Sequence, residues 1–150
     1  MYESILVATD GSDDASAAVT DAVSLARALE VPLHGVAVVE TRTAYDSGLV
    51  DPDEVEQRLR AHAHDSLEAL EQAAADSGVS VATSMRTGPP HEEILAYADE
   101  HEIGLLVVGS HGRSSFRRAL LGSTVDAIVR LSDRPVLVVD DAGGTRGQEK

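Results

Sequence analysis

IGLLVV, residues 103–108, is the stretch whose reading decides the fold. It is an unbroken apolar run. A strand with one face in water alternates apolar and polar side chains, whereas a parallel strand covered on both faces is apolar throughout. The run passes directly into GSHGRSSFRRALLGS, residues 109–123, and from there into a helical pattern. A buried strand leading through a glycine segment into a helix is the repeating unit of a parallel α/β sheet.

Working outward, the same alternation recurs. Ser4 to Ala8 reads as strand 1, and Thr9-Asp10-Gly11-Ser12 is turn and cap chemistry. Ala15, Ala18, Val19, Ala22, Val23, Ala26 and Leu29 then recur at helical spacing. Leu33 to Val39 is strand 2, and residues 40–51 form a polar loop. A second helix spans about Asp53 to Asp76, with His62, Ser66, Leu67, Leu70 and Ala74 on its inner face, and Gly78 ends it in the left-handed conformation. Val79 to Met85 reads as strand 3. Gly88-Pro89-Pro90 opens helix 3, with Ile94, Leu95 and Ala98 inward. After strand 4, Ile103 to Val108, Ser123 caps helix 4, which turns Val125, Ile128 and Val129 inward. Val136 to Val139 is strand 5, and residues 142–150 read as a disordered tail. The order β-α-β-α-β-α-β-α-β implies one domain, residues 1–141, with a parallel sheet and helices on both faces. Ligands in such folds bind beyond the carboxyl ends of the strands where strand order reverses. The loops after strands 1 and 4 are therefore the place to look.

Composition narrows the class. Only 3% of the 150 residues are aromatic, so Val, Leu, Ile and Ala must build the core. There is no Cys, hence no disulfide framework and no thiolate chemistry. No apolar run approaches the roughly 20 residues needed to span a bilayer. The opening MYESILVATDG lacks the features of a signal peptide, so the expected location is cytoplasmic. Asp and Glu total 26 against 12 Lys and Arg, a net charge of −14, which repels nucleic acid over most of the surface. The acids are spread along the whole chain, which fits a halophilic, salt-rich setting better than one basic partner.

Against that charge, residues 109–123 gather Gly109, Gly112, Gly122, Arg113, Arg117 and Arg118. Glycines allow positive φ and let a ligand approach the amides closely. Successive amides make an anion-binding concavity, and the amides opening helix 4 carry partial positive charge. Ser123 can either cap that helix or bind a phosphate oxygen. The two amide clusters together suit a polyphosphate. The segment is not a Walker A loop, for it lacks G-x-x-x-x-G-K-[ST], and no G-x-G-x-x-G follows strand 1.

The spacing Gly109-x2-Gly112-x9-Gly122-Ser123 resembles the G-x2-G-x9-G-[ST] pattern of the ATP-binding branch of the universal stress protein family. LLVVGSHGR, LLGSTVDAIVRLSDRPVLVV and ILVATDGSDDASAAV are similar to that family's signatures, over residues 2–140. The resemblance implies a five-stranded sheet of order 3-2-1-4-5, Rossmann-like. It implies Asp10 near the ribose and phosphates, helping to hold a divalent cation, Mg2+ or Mn2+. Ala8 and Thr9 would pack near the adenine, with Val38 touching the base through its backbone. Val108 and Gly109 would flank the nucleotide, and Ser110, His111, Gly112, Gly122, Ser123 and Thr124 would surround sugar and phosphates, with Arg113 beside them. It also implies a homodimer through strand 5, where Val136 to Val139 would be an exposed apolar edge. Read from its own residues, Asp10 equally suits a turn acid or helix cap.

The residues name no group that activates water or an acceptor, so a nucleotide-responsive regulator stands ahead of a dedicated enzyme. A slow ATPase or phosphotransferase at the same site, with His111 in proton transfer, is the second reading. A zinc protein is the third and fares worst. His62 and His64 point to different helix faces, and His91-Glu92-Glu93-Ile94-Leu95 ends in Leu where H-E-x-x-H needs His.

Overall fold

The structure, a computed structural model, describes residues 2–40, 51–111 and 121–141. Among these residues five strands, β1 (Ile5–Ala8), β2 (Leu33–Val39), β3 (Val81–Thr87), β4 (Leu105–Gly109) and β5 (Val136–Val139), alternate with four helices, α1 (Asp13–Leu29), α2 (Pro52–Asp76), α3 (Pro90–Glu100) and α4 (Ser123–Leu131). All neighbouring strands are parallel, in the expected order β3-β2-β1-β4-β5.

β1 is the pivot, with Ile5 paired to Leu33 on one side and Leu105 on the other. Because side chains alternate across a strand, β1 feeds both cores. Ile5 and Val7 join Ala18 and Ala22 of α1 and Leu67 and Leu70 of α2. Leu6 faces the opposite layer with Val36 and Leu106, against Ile94 and Tyr97 of α3 and Val125 and Ile128 of α4. Both faces of the sheet are covered by apolar side chains, which is why the central strands read as continuous apolar runs. Among the described residues Tyr97 is the one Phe, Tyr or Trp in this core, and its hydroxyl lies 2.8 Å from His34 Nδ1, so its polar end is satisfied. No helix of the described residues is long and apolar enough to cross a membrane.

Four local readings are corrected, each for a backbone reason. β3 begins at Val81 rather than Val79, because the Val79 amide donates to the Ala74 carbonyl at 2.8 Å and closes the end of α2. Gly78, at φ +71°, makes that ending as expected. β4 begins at Leu105 rather than Ile103, whose amide donates to Ala98 at 2.9 Å and closes α3 in the same way. Ser123 is the first residue of α4 and not its cap; Gly122 holds the cap position, with φ −64° and no side-chain bond. Val129 is 46% exposed, because the buried arc of α4 runs over Val125, Ala127 and Ile128 and leaves position 129 outside it. Residues 41–50 of the expected loop and the expected tail from 142 lie outside the described residues.

Candidate functional site

Between β1 and β4 the strand order reverses, and at such a point a doubly wound sheet leaves a crevice at the carboxyl ends of the strands. On the β1 side the ladder runs one bond further, the Thr9 amide donating to the Val36 carbonyl at 3.0 Å. The chain then turns on its own side chains. Thr9 Oγ1 accepts from the Gly11 amide at 3.2 Å, and Asp10 Oδ1 accepts from the Ser12 amide at 2.9 Å. Ser12 caps α1, its Oγ accepting from the Ala15 amide at 3.3 Å while donating to the His111 carbonyl at 3.3 Å. From α2, His62 Nε2 reaches the Asp10 carbonyl at 2.8 Å. A carbonyl only accepts, so Nε2 carries the proton there.

On the β4 side the strand ends at Gly109. A Cβ on Gly109 would lie 2.6 Å from the Asp14 carbonyl carbon and 2.7 Å from the Ala15 nitrogen, so the first turn of α1 rests directly on the strand end. Gly109 is not among the described glycines with positive φ. Here glycine serves the close approach of a helix backbone, which corrects the expectation of an unusual backbone angle. Ser110 follows, its amide donating to the Val139 carbonyl at 2.8 Å and its carbonyl accepting from the Gly122 amide at 2.9 Å.

Beneath this strand end lies a buried polar cluster. Asp14 and Ser110 are each 3% exposed. Ser110 Oγ donates to Asp14 Oδ2 at 2.9 Å and also contacts Asp140 Oδ1 and His111 Nδ1. His111 Nδ1 lies 2.8 Å from Asp14 Oδ2, and the Asp141 amide donates to Asp14 Oδ1 at 2.7 Å. Burial pushes the Asp14 carboxyl up, but the hydrogen bonds from His111, the Asp141 amide and Ser110 outweigh it. The carboxyl is held below its ordinary value of 3.8 and is ionised at neutral pH. Asp14, His111 and Asp140 offer ligand atoms within 4.8 Å of one another, a grouping in which His111 bonds Asp14 and the Ser110 hydroxyl contacts both carboxylates.

The third wall is the start of α4. The Gly122 amide is spent on Ser110 and the Asp126 amide closes the first helical turn onto Gly122. The amides of Ser123, Thr124 and Val125 are those an α-helix leaves without an intrahelical partner, and they carry its positive end. Ser123 is exposed and Thr124 half-buried. On the same sheet face, Ala8 and Val38 stay partly exposed at their strand ends, with Val108 buried in the same layer. The crevice thus offers an apolar floor for a flat group and a polarised helix end for an anion.

Of the residues expected from the sequence, Ala8, Thr9, Asp10, Val108, Gly109, Ser110, His111, Gly122, Ser123 and Thr124 meet at the carboxyl ends of β1 and β4. Val38 sits at the same edge on β2, next to β1. Gly112 and Arg113 lie outside the described residues. Ser12, Asp14, His62 and Asp140 were missed. Asp14 had a signal: it stands four residues before Ala18 and eight before Ala22, in register with the buried face of α1.

A doubly wound parallel α/β protein whose strand order reverses between β1 and β4 is the class that this fold defines. The chain belongs to the universal stress protein family, whose family pattern matches residues 1–140. It is 34% identical over 147 residues to universal stress protein YxiE of Bacillus subtilis (strain 168), covering 93% of this chain and 99% of the relative. Among solved structures it superposes on universal stress protein UspA from Lactobacillus plantarum with a TM-score of 0.79 at 33% identity, over 92% of this chain and 97% of that one. It also superposes on a universal stress protein solved in complex with cAMP, with a TM-score of 0.69 at 27% identity, over 93% of this chain and 98% of that one.

Proposed function

We propose that this chain binds ATP, with Mg2+ or Mn2+, in the crevice between β1 and β4, and acts as a nucleotide-responsive regulator in a stress response. The observation that carries the reading is the pairing, on one sheet edge, of the part-exposed floor of Ala8 and Val38 with the helix end at Ser123 and Thr124. A purine presents a flat apolar face and a triphosphate is an anion, so one adenine nucleotide uses both features. The G-x2-G-x9-G-S spacing supports the same ligand, as does the relative in complex with cAMP.

In this reading Val38, Ala8 and Thr9 meet the base. The amides of Ser123 and Thr124, with their hydroxyls, take the phosphates, joined by Gly112 and Arg113. Asp10 sits at the ribose side and supplies one carboxylate to the cation. Mg2+ commonly takes one or two carboxylates and fills its shell with phosphates and water, so a single Asp fits it. The metal would neutralise phosphate charge. The same reading takes residues 1–141 as one domain of a cytoplasmic, salt-adapted homodimer joined along β5.

The pair of His111 Nδ1 and Asp14 Oδ2, 2.8 Å apart, favours a second reading as a slow ATPase or phosphotransferase, since a carboxylate orients a basic imidazole in this way. The two readings separate on turnover. The regulator copurifies with intact ATP that survives gel filtration, whereas the hydrolase yields ADP in single-cycle assays and loses that yield on His111→Ala.

Mass spectrometry of the small molecule released from freshly purified protein is the direct test, followed by calorimetry. Gly122→Val adds bulk where the helix end meets phosphate and should weaken ATP binding by about ten-fold or more, equivalent to about 1.4 kcal/mol. Equal affinity in variant and parent would remove the proposed site.

A further inference from the structure

Asp14 is a buried charge that nucleotide binding does not itself use. It stands in the first turn of α1, 3% exposed, yet its carboxylate serves two distant segments. Oδ2 receives Ser110 Oγ at 2.9 Å and His111 Nδ1 at 2.8 Å, where the glycine segment leaves β4. Oδ1 receives the Asp141 amide at 2.7 Å, just beyond the end of β5. Burying a carboxylate is costly unless it is fully hydrogen-bonded, and this one has gathered its donors from both neighbouring strand ends. The backbone repeats the link, since the Ser110 amide donates to the Val139 carbonyl and the Ser110 carbonyl accepts from the Gly122 amide that opens α4.

We propose that Asp14 is a positioning residue that fixes Ser110 and His111, at the end of β4, for phosphate and couples occupancy of that site to the hydrogen bond that holds the Asp141 amide beyond β5. The coupling rests on the nucleotide reading given above. Its physical basis is a shared acceptor. Ligand that steadies Ser110 and His111 steadies the carboxylate they bond, and the same carboxylate then holds the Asp141 amide for a larger share of the time. Such coupling is reciprocal, so loosening the Asp141 end weakens the nucleotide.

The test is calorimetry with ATP alongside amide hydrogen exchange on the full chain. In the wild-type protein, ATP slows exchange at the Asp141 amide. Asp14→Asn keeps the side-chain shape but turns one acceptor into a donor facing Ser110 and His111. It should bind ATP at least about ten-fold more weakly and lose the ATP-dependent slowing at Asp141. A merely structural role would lower the melting point without removing that slowing. Unchanged affinity together with unchanged slowing overturns the proposal. Should Asp14→Asn fail to fold, Ser110→Ala replaces it; it leaves the carboxylate in place and removes one donor. The same loss of slowing is expected, and its persistence is the overturning result. A wild-type protein that takes up no ATP overturns the nucleotide reading instead. The latch is then read from unliganded exchange: faster exchange at both Ser110 and Asp141 in Asp14→Asn supports it, and identical rates overturn it.

Discussion

Gly109 shows why a residue's type does not reveal its duty. A glycine at the head of a phosphate-binding pattern invites a ligand explanation, and the structure gives it a neighbour of another kind, the backbone of α1. A methyl group 2.6 Å from the Asp14 carbonyl carbon overlaps main chain, which cannot swing aside as a side chain can. Gly109→Ala should therefore destabilise the protein by about 1–3 kcal/mol, the range for overpacking a tight contact. The expected result is a lower urea midpoint with an unchanged slope; an unchanged midpoint would mean that α1 does not rest on β4 here. The turn at Asp10 was legible, because an acid followed by Gly and Ser after a buried strand is turn chemistry, and its side chain does accept from the Ser12 amide. The partners of Ser110 and His111 were not legible. Their side chains meet Asp14, remote in sequence, and no local pattern encodes which buried acid a hydroxyl will find.

At the level of elements, the strands and helices were legible because their periodicities are long and clean, while their ends were not. The amides of Val79 and Ile103 could equally have started a strand; the preceding helix claimed them, and only the folded backbone decides that contest. Val129 failed for a related reason, since a short helix has too few turns to fix the centre of its buried arc from apolar spacing alone. Strand β5 carries a prediction of its own. It is an edge of the sheet, and Leu137 on it is 36% exposed, as are Val129 and Leu131 of the preceding helix at 46% and 58%. Among the described residues no strand lies beyond β5, and a sheet edge beside exposed apolar side chains invites a second strand. Light scattering in high salt should give a dimer mass at micromolar concentration, and Leu137→Lys should give a monomer. A wild-type monomer would remove the edge-to-edge proposal.

For the molecule as a whole, the β-α alternation implied a parallel sheet covered on both faces, and the family resemblance carried by the glycine spacing implied the order 3-2-1-4-5, which the sheet has. The surface is set by charge. A net charge of −14 on 150 residues repels itself, and several described ion pairs, such as Arg58–Glu54 and Arg130–Asp126, are exposed i,i+4 pairs that contribute little. Molar salt shortens the screening length to about 3 Å and relieves the repulsion. The melting temperature should accordingly rise from dilute buffer to molar KCl, and a melt indifferent to salt would set aside the halophilic reading.

The placement of β1 at the centre of the sheet also bears on how the chain is made. Synthesis delivers β1 ahead of the other four strands, and the sheet on one side of it, β2 backed by β3, is complete once Thr87 has emerged. Its other flank waits for Leu105–Gly109. In that interval a strand whose Ile5, Leu6 and Val7 are fully buried in the folded protein has one side bare. Crowded ribosomes on a single message would bring such bare flanks together, so this is where nascent copies would be prone to stick.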